Sequence, residues 1–417
     1  MTVPSASVTI IIPCYNGEGT LDKTLASVHE QTSSDWEALV IDDGSRDKSL
    51  EIAQQWAARD RRIRVLTKSN EGLSATRNLG IKESQGKWLC FLDADDLYPK
   101  QFVERMLAAA EAQSSPQPHF CGTRLITEDG KDGLGSKEAE RSFGFKELAH
   151  AGAFPVHAAI TPRRVFDEVG LFDVTLKGCE DWDMWVRVAR AGYEFKPVQG
   201  CEVDYRMRAS SMSRDFLRQC KAGLEVLHRT HRPDDRCIRT AAAYKEGCKE
   251  EHLGDISRAW TLKMFARSVV HGDRDAARSL LELAGRGTPP LPPDEFGRRL
   301  GTELFALPAG IGSFAQNWNV ILELVHDFAR QEVGDRASQR YSSEALFTFA
   351  NSVRRRLGVR SAWPGFASSL RSAPWACVSS AVMCATQAIV RRLTKTPGQS
   401  GQSKVRSNGI IRGSIAK

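Results

Sequence analysis

Short apolar runs alternate with amphipathic polar stretches through the first hundred residues. Ser7-Val8-Thr9-Ile10-Ile11-Ile12 is almost wholly β-branched and stops at Pro13, which predicts a buried strand and its turn. A helix follows over about 19–31, with Leu21, Leu25 and Val28 on one face. The same alternation predicts strands at 36–41, 63–66 and 88–92 and helices at about 47–59 and 73–84. Strand and helix in this rhythm indicate an α/β fold, an open and mostly parallel sheet between helices.

In such sheets ligands bind beyond the carboxyl ends of the strands. Three polar segments directly follow strands and should gather there: Pro13-Cys14-Tyr15-Asn16, Asp42-Asp43-Gly44-Ser45 and Asp93-Ala94-Asp95-Asp96. Side chains alternate along a strand, so Asp93 and Asp95 can share a face. Two carboxylates on one face repel unless a positive group sits between them, and a hard divalent cation shared with phosphate oxygens suits the place. Taken alone, such a pair reads as an acidic turn. A fourth segment, from Ser69 to Asn78, also follows a strand and opens a helix. It carries Asn70, backbone N–H groups and Arg77, all suited to oxyanions.

Beyond Gln113 the rhythm breaks. Residues 114–118 read as a linker and 127–135 as a polar turn or mobile loop, while 156–160 return to the sheet. Apolar positions 182, 185, 186 and 189 predict a helix closed by Gly192, with Glu180 and Asp181 at its N-terminal end. The division expected is 1–213 for the α/β domain, 214–287 for a helical extension, 288–293 for a proline-rich linker, 294–392 for a helical C-terminal region and 393–417 for a basic, disordered tail.

Charge sharpens this division. The 417 residues carry a net +7, but residues 345–417 hold twelve lysines and arginines and no acidic residue, which leaves the rest at −5. Residues 375–392 are moderately apolar and end in arginines. They read either as an interfacial helix drawn to anionic lipid or as a helix packed on the body. Nucleic-acid binding is not expected, because no aromatic or motif support accompanies the basic tail. Ten cysteines without a C-x-x-C pair read as reduced, packed thiols, and His228, His231, Cys237 and Cys248 match no zinc spacing. With no signal-like N-terminus and no apolar run near the roughly 18 residues of a membrane span, the expectation is a cytoplasmic protein, peripheral at the inner face of the membrane in the lipid-binding reading.

The ordered series VTIIIPCYNG, VIDDGSRDKS, SNEGLSATRNLGI, FLDADD and GCEDWDMWVRVARAG resembles the family-2 glycosyltransferases over about residues 7–213. That resemblance implies a GT-A, Rossmann-like fold with an additional helical C-terminal region. It also implies inverting transfer of a sugar from a nucleotide-diphosphate sugar, expected to be a UDP-sugar, assisted by Mn²⁺ or Mg²⁺. By position, Asp43 resembles the carboxylate that accepts from the nucleotide base, and Pro13, Tyr15 and Asn16 the loop beneath base and ribose. Asp93 and Asp95 resemble the metal-binding Asp-x-Asp pair, with Asp96 an alternative to either. Asp181 resembles the general base, with Glu180 beside it at the acceptor.

Two departures stand out. Relatives often show Tyr-Arg-x-His after the last strand, whereas this chain has Tyr205-Arg206-Met207-Arg208. Arg208 cannot ligate a cation, so either the metal has fewer protein ligands or the guanidinium meets the diphosphate. The Gln-x-x-Arg-Trp signature of processive synthases is absent, which argues for transfer of a single sugar to a glycan, lipid-linked or other acceptor. Trp182 stays open between core aromatic and acceptor platform. His157 reads as a packing residue, Asp183 as facing away or capping its helix, and Asp42 as supporting its turn. Two other readings are a sugar nucleotidyltransferase, whose Gly-rich, lysine-bearing loop is missing, and a non-catalytic nucleotide-sugar or glycan-binding module. The joint presence of Asp43, Asp93, Asp95 and Asp181 opposes the latter.

Overall fold

Strand β1 (Val8–Cys14) is buried at every position and lies parallel to both β2 (Trp36–Asp42) and β4 (Trp88–Phe91). Its β-branched residues fit a surface covered on both faces, as a central parallel strand requires. The computed structural model describes residues 6–356 apart from 114, 131, 209–210, 250–252, 286–290 and 307–317. Helices α1 (Leu21–His29), α2 (Ser49–Arg59) and α3 (Leu73–Glu83) connect β1, β2, β3 (Ile63–Thr67) and β4. After α4 (Phe102–Glu111) come β5 (His119–Ile126), β6 (Asp132–Lys137), α5 (Phe145–Leu148), β7 (Ala159–Pro162), α6 (Arg164–Val169), α7 (Glu180–Arg190) and β8 (Lys196–Arg206).

The eight strands form one sheet in the order β3-β2-β1-β4-β7-β5-β6, with β8 parallel to β5. From β1 the chain runs outward through β2 and β3, then crosses back to place β4 on the other side of β1. That reversal opens a crevice at the carboxyl ends of β1 and β4, where Tyr15 and Asp93 lie. Strand β7 is antiparallel to β4 and ends the purely parallel half.

The segment read as a turn or loop at 127–135 is a hairpin. Its turn is confined to about 127–130, and β6 pairs with β5 from Asp132 onward. Gly133 and Gly135 hide this strand from a propensity reading, because cross-strand pairing and not local preference forms it. Pro13, expected to stop β1, lies inside it, opposite Ile41. Proline contributes no N–H there, and the strand continues to Cys14.

The second half is helical: α8 (Phe216–Thr230), α9 (Leu253–His271), α10 (Arg274–Ala284), α11 (Pro293–Ala306), α12 (Trp318–Val333) and α13 (Asp335–Arg356). Pro293 opens α11, a position where its missing N–H costs nothing. Phe265, Phe296 and Phe328 centre the second apolar core, with ring centroids 4.1–6.0 Å apart. Helix α8 fastens the two cores together: Val226 and Leu227 belong to the first, Phe216 and Cys220 to the second. Gly223 lets α9 approach, since a Cβ there would lie 2.4 Å from the Trp260 indole. Every cysteine among the described residues is a free thiol. No helix among them is long and apolar enough to cross a membrane. The segments 375–392 and 393–417 and the first half of the proline-rich linker lie outside the described residues.

Candidate active site

The crevice holds a cavity of about 630 Å³, a size suited to a small organic ligand. Its floor begins with Pro13, Tyr15 and Asn16 at the end of β1. Tyr15 is half exposed, its ring open to the cavity rather than packed in the core. Asn16 adopts a left-handed backbone (φ +51°) and accepts a hydrogen bond from the Arg46 N–H at 2.9 Å, which ties the β1 loop to the β2 loop. At the end of β2, Asp42 receives the Ser45 N–H and shapes the turn, as expected.

Asp43 lines the cavity and organises the loop before α3. It accepts from Lys68 Nζ and from the backbone N–H groups of Glu71 and Gly72, at 3.0 and 2.9 Å. A carboxylate has about four acceptor positions, so this leaves one for a ligand. Asn70, in the loop so held, also lines the cavity.

Arg77 joins the two acidic edges of the cleft. Its guanidinium is 1% exposed and donates to Asp93 at 2.7 Å and to Glu180 at 2.8 Å. Burial pulls its pKa down, but Asp93, Glu180 and Asp181 outweigh that and hold it firmly charged. Its Nε is buried without a hydrogen-bond partner. This gathers residues of α3, the β4 end and the start of α7.

Asp95 faces the same cavity, with its carboxylate 2.7 Å from Arg208. Burial and the neighbouring Asp96 and Asp93 push its carboxyl up to about 7 despite Arg208. A carboxylate so crowded by like charge is short of a cation, and its hard oxygens, with those of Asp93, fit Mn²⁺ or Mg²⁺. Asp96, the alternative ligand, turns inward. It is fully buried, accepts from the Arg206 N–H at 2.8 Å and forms an ion pair with His157 at 3.0 Å. Burial pulls the His157 pKa down, but Asp96, Asp93 and Asp95 outweigh it and raise it. Asp93, Asp96 and His157 bring their ligand atoms within 4.8 Å of one another. His157 is therefore more than packing: it balances charge behind the aspartates.

Glu180 and Asp181 open α7 on the opposite wall, after Cys179 in a left-handed conformation (φ +52°). Asp181 accepts from the Trp182 N–H at 2.7 Å. Burial and the adjacent Glu180 push its carboxyl up to about 6, against the pull of Arg77. A carboxyl in that range suits proton acceptance near neutral pH.

Trp182 does not reach the cavity. It is 3% exposed, donates Nε1–H to the Leu148 carbonyl at 2.6 Å and packs against Trp260, so it is a core residue and not an acceptor platform. The helical period explains this, since residue 182 follows Asp181 by about 100° on α7 and faces inward. Asp183 neither faces solvent nor caps. It is buried between Arg187 and Arg236, at 3.0 and 2.8 Å. Arg218 and Gln219 complete the wall from the start of α8, beyond the region of resemblance, with Met212 just before them at its edge. Their residue types carry no signal of a site, and only the packing of α8 brings them there.

Residues 9–168 match the family described as Glycosyl transferase family 2. The uncharacterized glycosyltransferase EpsJ of Bacillus subtilis is 42% identical over 104 residues, 25% of this chain and 30% of that protein. The putative teichuronic acid biosynthesis glycosyltransferase TuaG of the same organism is 25% identical over 264 residues, 63% of this chain and 96% of that protein. The solved structure of S. aureus TarS 1–349 in complex with UDP-GlcNAc aligns with a TM-score of 0.49 at 15% identity, covering 84% of this chain and 90% of that one. That score adds nothing to what the strand order shows. The family match and the strand-end site within the matched region together identify residues 9–168 as a domain of glycosyl transferase family 2, built on an open, mostly parallel sheet.

Proposed function

We propose that the cleft transfers a single sugar from a nucleotide-diphosphate sugar, a UDP-sugar being the expected donor, to a hydroxyl of a glycan or lipid-linked acceptor, with inversion. The observation that carries this reading is that Asp181 on α7 and the Asp93–Asp95 pair after β4 face one cavity from different elements, with Arg77 between them. Displacing a diphosphate builds negative charge on the leaving phosphate, which positive groups near Asp93 stabilise more in the transition state than in the ground state. A divalent cation held by Asp93 and Asp95 would supply Lewis-acid charge at that phosphate. Arg77 and Arg208 contribute fixed positive charge at the same end.

Asp181 takes the proton of the acceptor hydroxyl as its oxygen bonds to the anomeric carbon and the bond from that carbon to the diphosphate breaks. One base suffices for a single displacement. Glu180, engaged by Arg77, orients the guanidinium and borders the acceptor. Tyr15, Pro13 and Asn16 support the nucleotide, and the remaining acceptor position of Asp43 takes a base N–H. The match to TuaG over nearly all of that protein supports a glycan acceptor. The twelve basic charges after residue 344 support a cytoplasmic enzyme working at an anionic lipid surface.

The test is to incubate the full chain with a panel of nucleotide sugars and Mn²⁺ or Mg²⁺, following release of nucleoside diphosphate. Release that stops with EDTA and returns with excess Mn²⁺ is the expected result. Release undiminished by EDTA would remove the cation from the reading, and failure of any nucleotide sugar to bind would remove the donor.

A further inference from the structure

Away from the cleft, three residues of metal-ligand type come together from separate segments: His150 after α5, His231 at the end of α8 and Cys248 before α9. Their ligand atoms all lie within 4.8 Å of one another. Thr230 sits at the junction. Its hydroxyl is 3.3 Å from the Ala149 carbonyl, and its own carbonyl accepts the Cys248 N–H at 2.8 Å. These two contacts hold the segments that carry His150, His231 and Cys248 side by side. Gly247 (φ +86°) lets the third segment lie against the helix end, since a Cβ there would fall 2.6 Å from the Arg232 nitrogen.

The protonation of His231 also fits. Its Nδ1 lies 2.7 Å from the Leu227 carbonyl and 2.8 Å from the Thr230 hydroxyl; the carbonyl can only accept, so the tautomer with Nδ1 protonated satisfies it and leaves Nε2 with a lone pair. That Nε2 is buried and has no hydrogen-bond partner. An imidazole whose Nδ1–H is held by a carbonyl while Nε2 is left to ligate is the usual arrangement of a metal-bound histidine. The C-terminal end of α8 adds a partial negative charge that favours a cation.

We infer that His150, His231 and Cys248 form a zinc-class metal site, with two imidazoles, one thiolate and a water as the fourth ligand. Binding displaces the Cys248 thiol proton to solvent and forms one metal–sulfur and two metal–nitrogen bonds. The site ties the 148–150 segment to α8 and to the approach to α9. Because the Leu148 carbonyl holds Trp182, the tie braces the start of α7, where Asp181 stands.

The experiment strips the untagged full chain with chelator and titrates it with Co²⁺, a spectroscopic stand-in for zinc. Carboxylate sites give no sulfur-to-cobalt charge-transfer band, so the Asp93–Asp95 end of the cleft does not interfere. The expected result is a charge-transfer band saturating at one equivalent, lost in Cys248→Ser, with affinity at least about tenfold weaker in His231→Gln and His150→Gln. Circular dichroism verifies the fold of each variant, and three separate variants guard against one failing to fold. Absence of the band in the wild-type chain, or its persistence in Cys248→Ser, overturns the assignment.

Discussion

Asp93 at the end of β4 and Glu180 at the start of α7 share one buried guanidinium, that of Arg77, at 2.7 and 2.8 Å. This clamp fixes the separation between the β4 end and the α7 end of the cleft. Replacing Arg77 by Met should leave two partly buried carboxylates without compensation. The expected loss of stability is about 3–5 kcal/mol. Denaturant unfolding checks it, and Arg77→Lys should recover only part, because an ammonium cannot bridge both carboxylates in the same plane.

Arg208 neutralises Asp95 at 2.7 Å and so competes for it with any divalent cation. The Arg208→Ala variant should therefore bind Mn²⁺ more tightly in the absence of donor, by roughly tenfold, the lower end for a charge-assisted hydrogen bond. Its affinity for the nucleotide sugar should fall, because the same guanidinium lines the cavity beside Asp95, where the proposed reaction sets the diphosphate. Calorimetric titration with Mn²⁺ and then with donor separates the two effects. Unchanged affinity for both would show Arg208 to be a bystander.

Asp181 must be ionised to accept a proton, and its carboxyl is pushed up to about 6, first by burial and then by Glu180. The rate at saturating donor should be level above that pH and fall about tenfold per unit below it. Glu180→Gln removes a neighbouring negative charge and frees Arg77, both of which favour the charged form of Asp181. The acid limb should move to lower pH. A limb that stays in place or moves upward in the variant's pH–rate profile would contradict the assignment.

Gly223 faces the Trp260 indole at the contact between α8 and α9. A methyl group placed there must push the helices apart, at a cost of about 1–3 kcal/mol. Since α8 carries Arg218 and Gln219 into the cavity wall, Gly223→Ala should raise the KM for acceptor while leaving donor affinity unchanged. Thermal melting and separate KM values for the two substrates check this.

The sequence makes the parallel half of the sheet and its strand-end residues legible because the signals there are local. Short apolar runs end at Pro13, Asp42-Asp43 and Asp93, and the crevice rule joins them. Residues whose roles arise only in the folded state are hidden. Trp182 looks the same in sequence whether it faces the core or the cleft, and only the turn of α7 decides. Strand β6 exists because β5 pairs with it, although its glycines read as a loop. His231 and Cys248 have no zinc spacing along the chain, and His150, which completes their cluster, lies far from both in sequence.

The central claim is that Asp181 takes the acceptor's proton and does not hold the donor. It is tested most directly by comparing Asp181→Asn with the wild type in two measurements on the same preparation: calorimetric affinity for the nucleotide sugar with Mn²⁺, and the rate of nucleoside diphosphate release with acceptor. Donor affinity should stay within about twofold while the rate falls by roughly 10²–10⁴, the range typical for loss of a general base. Transfer by Asp181→Asn at the wild-type rate would contradict it.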